Sequence, residues 1–176
     1  MNKRKAPNIP PILSKDSFIL NCKEKANIFI NFFSNQCKLV INDSNLPNFS
    51  YLTEERIDHM HVENKDIISL IRKLNPNKAN GPDGISGQML LLCDETIIVP
   101  LGIIFNNIVS IGIYPDMWKC ANVTPVFKKG DKQLIKNYRP ISLLPICGKI
   151  LEKVIFDKLY KHFVTHNLIT KKPQIN

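Results

Sequence analysis

The stretch 146–164, ICGKILEKVIFDKLYKHFV, leaves this chain the least choice. Ile150, Leu151, Val154, Ile155 and Leu159 recur at helical spacing, while Lys149, Lys153, Lys158 and Lys161 fall on the opposite side. An amphipathic helix of this kind takes most of its stability from whatever covers its apolar stripe. Just before it stand two runs of strand formers, Asn122–Phe127 and Asn137–Leu144, around the charged turn Lys128-Lys129-Gly130-Asp131-Lys132. The pattern predicts a β-hairpin with a basic tip. Pro125 and Pro140 put its strands near an edge or beside irregular backbone.

Upstream the chain reads as helices joined by punctuated loops. Residues 1–20, with Pro7, Pro10 and Pro11, read as an extended or disordered lead-in. Ala26, Phe29, Ile30, Phe33 and Cys37 mark an amphipathic helix over 22–38. Residues 41–53, rich in Asn, Ser and Pro, read as a linker. Ile67, Ile68, Ile71 and Leu74 mark a second helix over 64–74, with Asn64 as its cap. The loop 75–85, NPNKANGPDGI, is fixed by Pro76 and Pro82 and freed at Gly81 and Gly84. Ser86 is placed to cap a short helix through Gln88–Leu92. A longer one from Thr96 to Ser110, apolar on several sides, is expected to be well buried and to end at Gly112.

Charge is distributed unevenly. Residues 1–118 hold 12 Lys and Arg against 12 Asp and Glu; residues 119–176 hold 12 against 3, so the last third carries the whole net charge of +9. This fits a local polyanion-binding surface, or equally a set of solvated lysines on a helix and a hairpin. Cys22, Cys37, Cys93, Cys120 and Cys147 are odd in number and never in CxxC spacing. Neither a disulfide framework nor a zinc site is indicated, and a reducing compartment, cytoplasm or nucleus, fits best. The basic N-terminus has no apolar segment behind it that would make a signal peptide. No run approaches the roughly 18 uninterrupted apolar residues of a membrane span, and no membrane partner is expected. His59-x-His61 and His162-x3-His166 invite a metal reading. No cysteine or carboxylate completes either pair, so solvated or packed histidines are the better reading.

Several segments match one family in one order. Lys78-Ala-Asn-Gly-Pro-Asp-Gly-Ile85 resembles the GPDGI loop that opens the polymerase of jockey-like LINE elements. Asn107–Pro115 with Trp118-Lys119 is similar to the family's N…G.(F/Y)P..WK stretch. Ala121–Asp131 resembles its first fingers strand and tip, and Asn137-Tyr-Arg-Pro-Ile-Ser-Leu-Leu144 and Gly148–Lys153 resemble the motif and helix that follow. Ile9-Pro-Pro, Lys23–Ala26 and Phe32-Phe33-Ser34 resemble the segment joining the element's endonuclease to its polymerase. Each match is weak alone; five in order at suitable separations are strong.

The resemblance implies that a fingers lysine and the arginine of the YRP motif contact nucleotide phosphates, here Lys128 and Arg139. A point charge and a planar fork on a rigid edge also suit phosphate oxygens on physical grounds. The alternatives are a structural arginine and a solvated tip. Lys78, Gly81, Gly84 and Lys129 are candidate template contacts, with a structural connector the slightly favoured reading of the 78–85 loop; Tyr138 and Phe127 read as core. No metal ligands are expected. The family's catalytic aspartates, one in a strand after the fingers and a pair in an (F/Y)ADD hairpin, hold two divalent ions across the reacting oxygens. Neither context occurs here: Asp94, Asp116, Asp131 and Asp157 are all isolated.

The expected architecture is therefore α+β, mostly helical, with a β-hairpin before a long C-terminal helix, a partial fingers and palm of a right-hand polymerase. Residues 1–62 are expected to form a connector and 63–176 the front of a reverse transcriptase domain. The implied partners are an RNA template, a DNA primer and a dNTP in the full-length protein. Magnesium is implied only for the complete polymerase, and these residues alone are expected to be inactive. A free-standing basic nucleic-acid-binding module, or a non-functional relic of such an element, is the alternative.

Overall fold

The computed structural model describes residues 9–14, 17–38, 56–57 and 59–168. The expected linker at 41–53 and the basic N-terminus lie outside the described residues. Among those described are six α-helices and two two-stranded sheets. The chain forms two compact units, one of residues 1–46 and 123–142, the other of 47–122 and 143–176. These units group residues by contact and cut across the 62/63 boundary, which concerns descent.

In the first unit, strands β1 (Ile12–Ser14) and β2 (Ser17–Ile19) pair antiparallel, with Ile12 opposite Ile19. This hairpin falls within the stretch read from sequence as a lead-in. Strands of three residues carry too little pattern to be seen. The Leu13 N–H donates to the Gln133 carbonyl at 2.9 Å, a contact that spacing along the chain cannot reveal. Helix α1 (Cys22–Gln36) is capped by Asn21, whose side chain accepts from the Lys23 and Glu24 N–H groups. Its buried face is Lys25, Phe29 and Phe33, whereas the Ala26, Ile30 and Cys37 of the expected stripe are exposed. Lys25 is tolerated there because its ammonium donates to the Ile9 carbonyl at 2.7 Å. Strands β3 (Asn122–Phe127) and β4 (Tyr138–Leu143) make the second, expected hairpin. Tyr138 joins Ile12, Phe29 and Phe33 in the unit's apolar cluster, with its ring 5.0 Å from Phe29.

In the second unit, α2 (Asn64–Ile71) lies against both α4 (Ile98–Ile111) and α6 (Ile146–Thr165). The cap of α2 is Glu63, one residue before the expected Asn64, and its N–H donates to the Asp66 carboxylate. Asn106 of α4 clamps the approach to α2. Its amide donates to the Val62 carbonyl at 3.0 Å and accepts from the Val62 N–H at 2.8 Å. Helix α3 (Gly87–Cys93) is capped by Ser86 as expected, and α4 ends at Gly112 in the left-handed region. A short helix α5 (Asp116–Lys119) carries Trp118. The core joins Val62, Ile67, Ile71, Leu90, Leu101 and Phe105 to Ile150, Leu151 and Val154 of α6. The apolar face of α6 is the one its periodicity predicts, and Lys149, Lys153 and Lys161 are exposed as expected, whereas Lys158 is half-buried against Asp66 of α2.

The expectation that α4 is well buried does not hold. Only Ile98, Leu101, Gly102 and Phe105 are buried; Val99, Ile103, Ile104 and Ile111 are exposed. An all-apolar helix has no sequence contrast to say which side faces inward. Gly87–Ile111, 25 residues with a stretch of mean hydropathy 1.7, is by length and composition enough to cross a membrane. It is broken at Asp94, where φ is 43°, and one side packs into the core just described.

Candidate functional site

The basic hairpin tip is held by its own side chains. The Lys128 N–H donates to the Asn137 carbonyl at 2.8 Å. Asp131 Oδ1 accepts from the Gln133 N–H, Asn137 Nδ2 donates to the Asp131 carbonyl, and the Tyr138 hydroxyl donates to the Lys132 carbonyl at 2.7 Å. Gly130 makes the turn at φ 90°. Side chains alternate along a strand. Phe127 and Tyr138 turn toward the apolar cluster, with ring centroids 5.6 Å apart, as expected for core residues. Arg139 follows Tyr138 in β4 and so faces away; Lys128 lies just past the end of β3; both are exposed, as is Lys129. Among the described residues Arg139 has no carboxylate within ion-pair distance, so the structural pairing weighed for it is not seen. The hairpin thus carries a guanidinium and two ammonium groups exposed to solvent, group types suited to phosphate oxygens.

In the second unit the structure brings together lysines that the sequence leaves far apart. A groove of about 270 Å³ has Leu70, Leu74, Ile146 and Ile150 in its floor and Lys73, Lys78, Lys149 and Lys153 around it. Lys73 comes from just after α2, Lys78 from the GPDG loop, and Lys149 and Lys153 from successive turns of α6. Lys153 is paired with Asp157. The other three have no carboxylate within ion-pair distance among the described residues. Lys73 was not singled out from sequence, because nothing in its neighbours marks it.

The two loop glycines play different parts. A Cβ on Gly81 would lie 2.5 Å from Pro145 N and 2.7 Å from the Leu144 carbonyl carbon. The close approach that Gly81 permits is therefore to this chain's own backbone at the start of α6, which is the connector role. Gly84, at φ 74°, has open space around its Cβ position. Gly148, in the Gly148–Lys153 stretch, is equally tight, with the Tyr114 hydroxyl 2.7 Å from where a Cβ would be. Tyr114 in turn donates to Glu152 at 2.9 Å and meets Trp118 edge-on. Much of the resemblance to the family is thus residues that dock on α6.

Asp83 of the same loop accepts from the Ile85 N–H through Oδ1, while its Oδ2 is buried with no hydrogen-bond partner among the described residues. Burial, and secondarily the Asp83 carboxylate, push the Cys147 thiol up to about 11. A buried thiol held protonated reacts poorly. At pH 8 a disulfide reagent should titrate the exposed Cys22, Cys37, Cys93 and Cys120 quickly and Cys147 only after unfolding. Five fast thiols would show that Cys147 is not sealed in.

Among the described residues no three His, Cys, Asp or Glu side chains are grouped so as to hold a metal ion. No protein-family model matches the chain. It is 34% identical over 96 residues, 54% of its length, to the RNA-directed DNA polymerase from mobile element jockey of Drosophila melanogaster. It is 33% identical over 96 residues to the corresponding polymerase of Drosophila funebris, and 32% identical over 91 residues to the probable RNA-directed DNA polymerase from transposon X-element of Drosophila melanogaster. The chain spans about a tenth of the length of these relatives. By these likenesses, and by the motifs that run through it, the chain is related to the jockey-like reverse transcriptases of non-LTR retrotransposons.

Proposed function

We propose that these residues are the fingers side, with the start of the palm, of an RNA-directed DNA polymerase, and that they hold substrate phosphates rather than perform chemistry. The observation that carries this is the lysine groove, where Lys73, Lys78 and Lys149 from three segments surround one apolar floor. Cations over a floor of that kind follow a nucleic-acid backbone without reading its sequence. On the hairpin, Arg139 and Lys128 take the triphosphate of the incoming nucleotide, and preorganised cations there stabilise the charge that develops on phosphoryl transfer. Two-metal catalysis needs clustered carboxylates, and the described residues offer no such cluster. On this reading magnesium would be held by other parts of a complete polymerase, and the described residues contribute binding rather than catalysis.

The test is binding of a labelled RNA–DNA primer–template against salt. Substituting Lys73, Lys78 and Lys149 together by alanine should flatten the slope of log affinity against log salt by about 2.7, at roughly 0.9 for each lost phosphate contact on a duplex. Arg139→Ala should instead weaken dNTP binding by about tenfold or more, the cost of losing a hydrogen bond to a charged group. An unchanged salt slope in the triple variant would sink the groove, and unchanged dNTP binding would sink the role of Arg139.

A further inference from the structure

All four histidines of the chain, read in sequence as two unrelated pairs, line one cleft of about 520 Å³ in the second unit. His59 and His61 come from the segment leading into α2. His162 comes from the last turn of α6 and His166 caps its C-terminus, with their rings 4.4 Å apart and inclined at 47°. Arg56, Lys158 and Lys161 line the same cleft, beside the apolar Ile57 and Met60. Among the described residues, Glu63 also lines the cleft and pairs with Lys65 at 2.6 Å, and Asp66 pairs with the cleft's Lys158 at 3.1 Å, which leaves Arg56 and Lys161 as its cations without an ion-pair partner among those residues. Lys161 and Arg56 are exposed.

We infer that this cleft is a second nucleic-acid contact, one that takes an unpaired strand. Imidazole rings stack on unpaired bases and donate N–H to phosphate, while Arg and Lys supply charge along the backbone. The apolar side chains between them suit sugars and exposed base faces, which a duplex would hide. A divalent metal is disfavoured by Arg56 and Lys161 and by the lack, among the described residues, of three grouped donors. The inference rests on the reading of this chain as one that handles nucleic acid, but it uses none of the groove or hairpin residues.

The experiment follows the four imidazole signals of the full 176-residue chain by NMR while a 20-nucleotide single-stranded oligonucleotide is added. All four should shift together, and still do so in the Lys73, Lys78 and Lys149 triple variant. Arg56→Ala with Lys161→Ala, both exposed and outside the core, should flatten the salt slope of single-strand binding by about 1.4, at roughly 0.7 per contact. Imidazole signals that stay still, or an unchanged slope in the double variant, would overturn the cleft. So would shifts produced by inorganic triphosphate or by zinc but not by the oligonucleotide. Shifts in the cleft alongside an ineffective triple variant would leave the cleft standing and remove the groove instead.

Discussion

Phe105→Ala should lower the stability of the second unit by about 3 to 5 kcal/mol, the usual cost of truncating a buried phenylalanine. Phe105 is fully buried in α4 and meets Trp118 edge-on with centroids 5.9 Å apart. The loss combines the transfer free energy of the ring with a cavity that helices on several sides cannot collapse to fill. Trp118 is the chain's single tryptophan, so its fluorescence during urea unfolding reports on this core directly. A midpoint that moves by less than about 1 kcal/mol-equivalent would mean that the α4 face assigned to the core is the wrong one.

Gly81→Ala is the second large effect, expected to cost about 3 kcal/mol, the upper part of the range for overpacking. The atoms that an added methyl would strike are Pro145 N, Pro145 Cα and the Leu144 carbonyl carbon, at 2.5 to 2.8 Å. These are backbone atoms and cannot swing aside as a side chain can. Pro145 immediately precedes α6, so relief requires moving the start of the helix that supplies Ile146, Ile150, Leu151 and Val154 to the core. Gly84→Ala, three residues along, is the comparison. It has open space around it and should lose only about 1 kcal/mol from its left-handed backbone. Equal urea midpoints for the two variants would refute the docking of the loop on α6.

Helix α6 and the β3–β4 hairpin were legible because a strict period and a charged turn each have a single physical solution. The caps at Ser86 and Gly112 were legible for the same local reason. What escaped depended on partners distant in sequence. The β1–β2 hairpin reaches Gln133 through one backbone hydrogen bond, and three-residue strands have no periodicity of their own. The inward side of α4 was unreadable because Val99, Ile103 and Ile104 are as apolar as the residues that are buried. Candidate cations divided in the same way. Arg139 and Lys128 stood out through their motif, whereas the grouping of Lys73 with Lys78 and Lys149 exists only once α2, the loop and α6 have packed. The four histidines show this most plainly, since about 100 residues separate the two pairs and nothing local links them.

The first unit is assembled from two stretches of chain with most of the second unit between them. During synthesis, α1 emerges with Phe29 and Phe33 ready but without Tyr138 to cover them. At about 5 to 20 residues per second, the ribosome needs roughly 5 to 20 s to deliver the roughly 100 intervening residues. For that interval a phenylalanine-rich helix stands open on the nascent chain, a natural client for chaperones and a point at which pausing or premature release leads to aggregation.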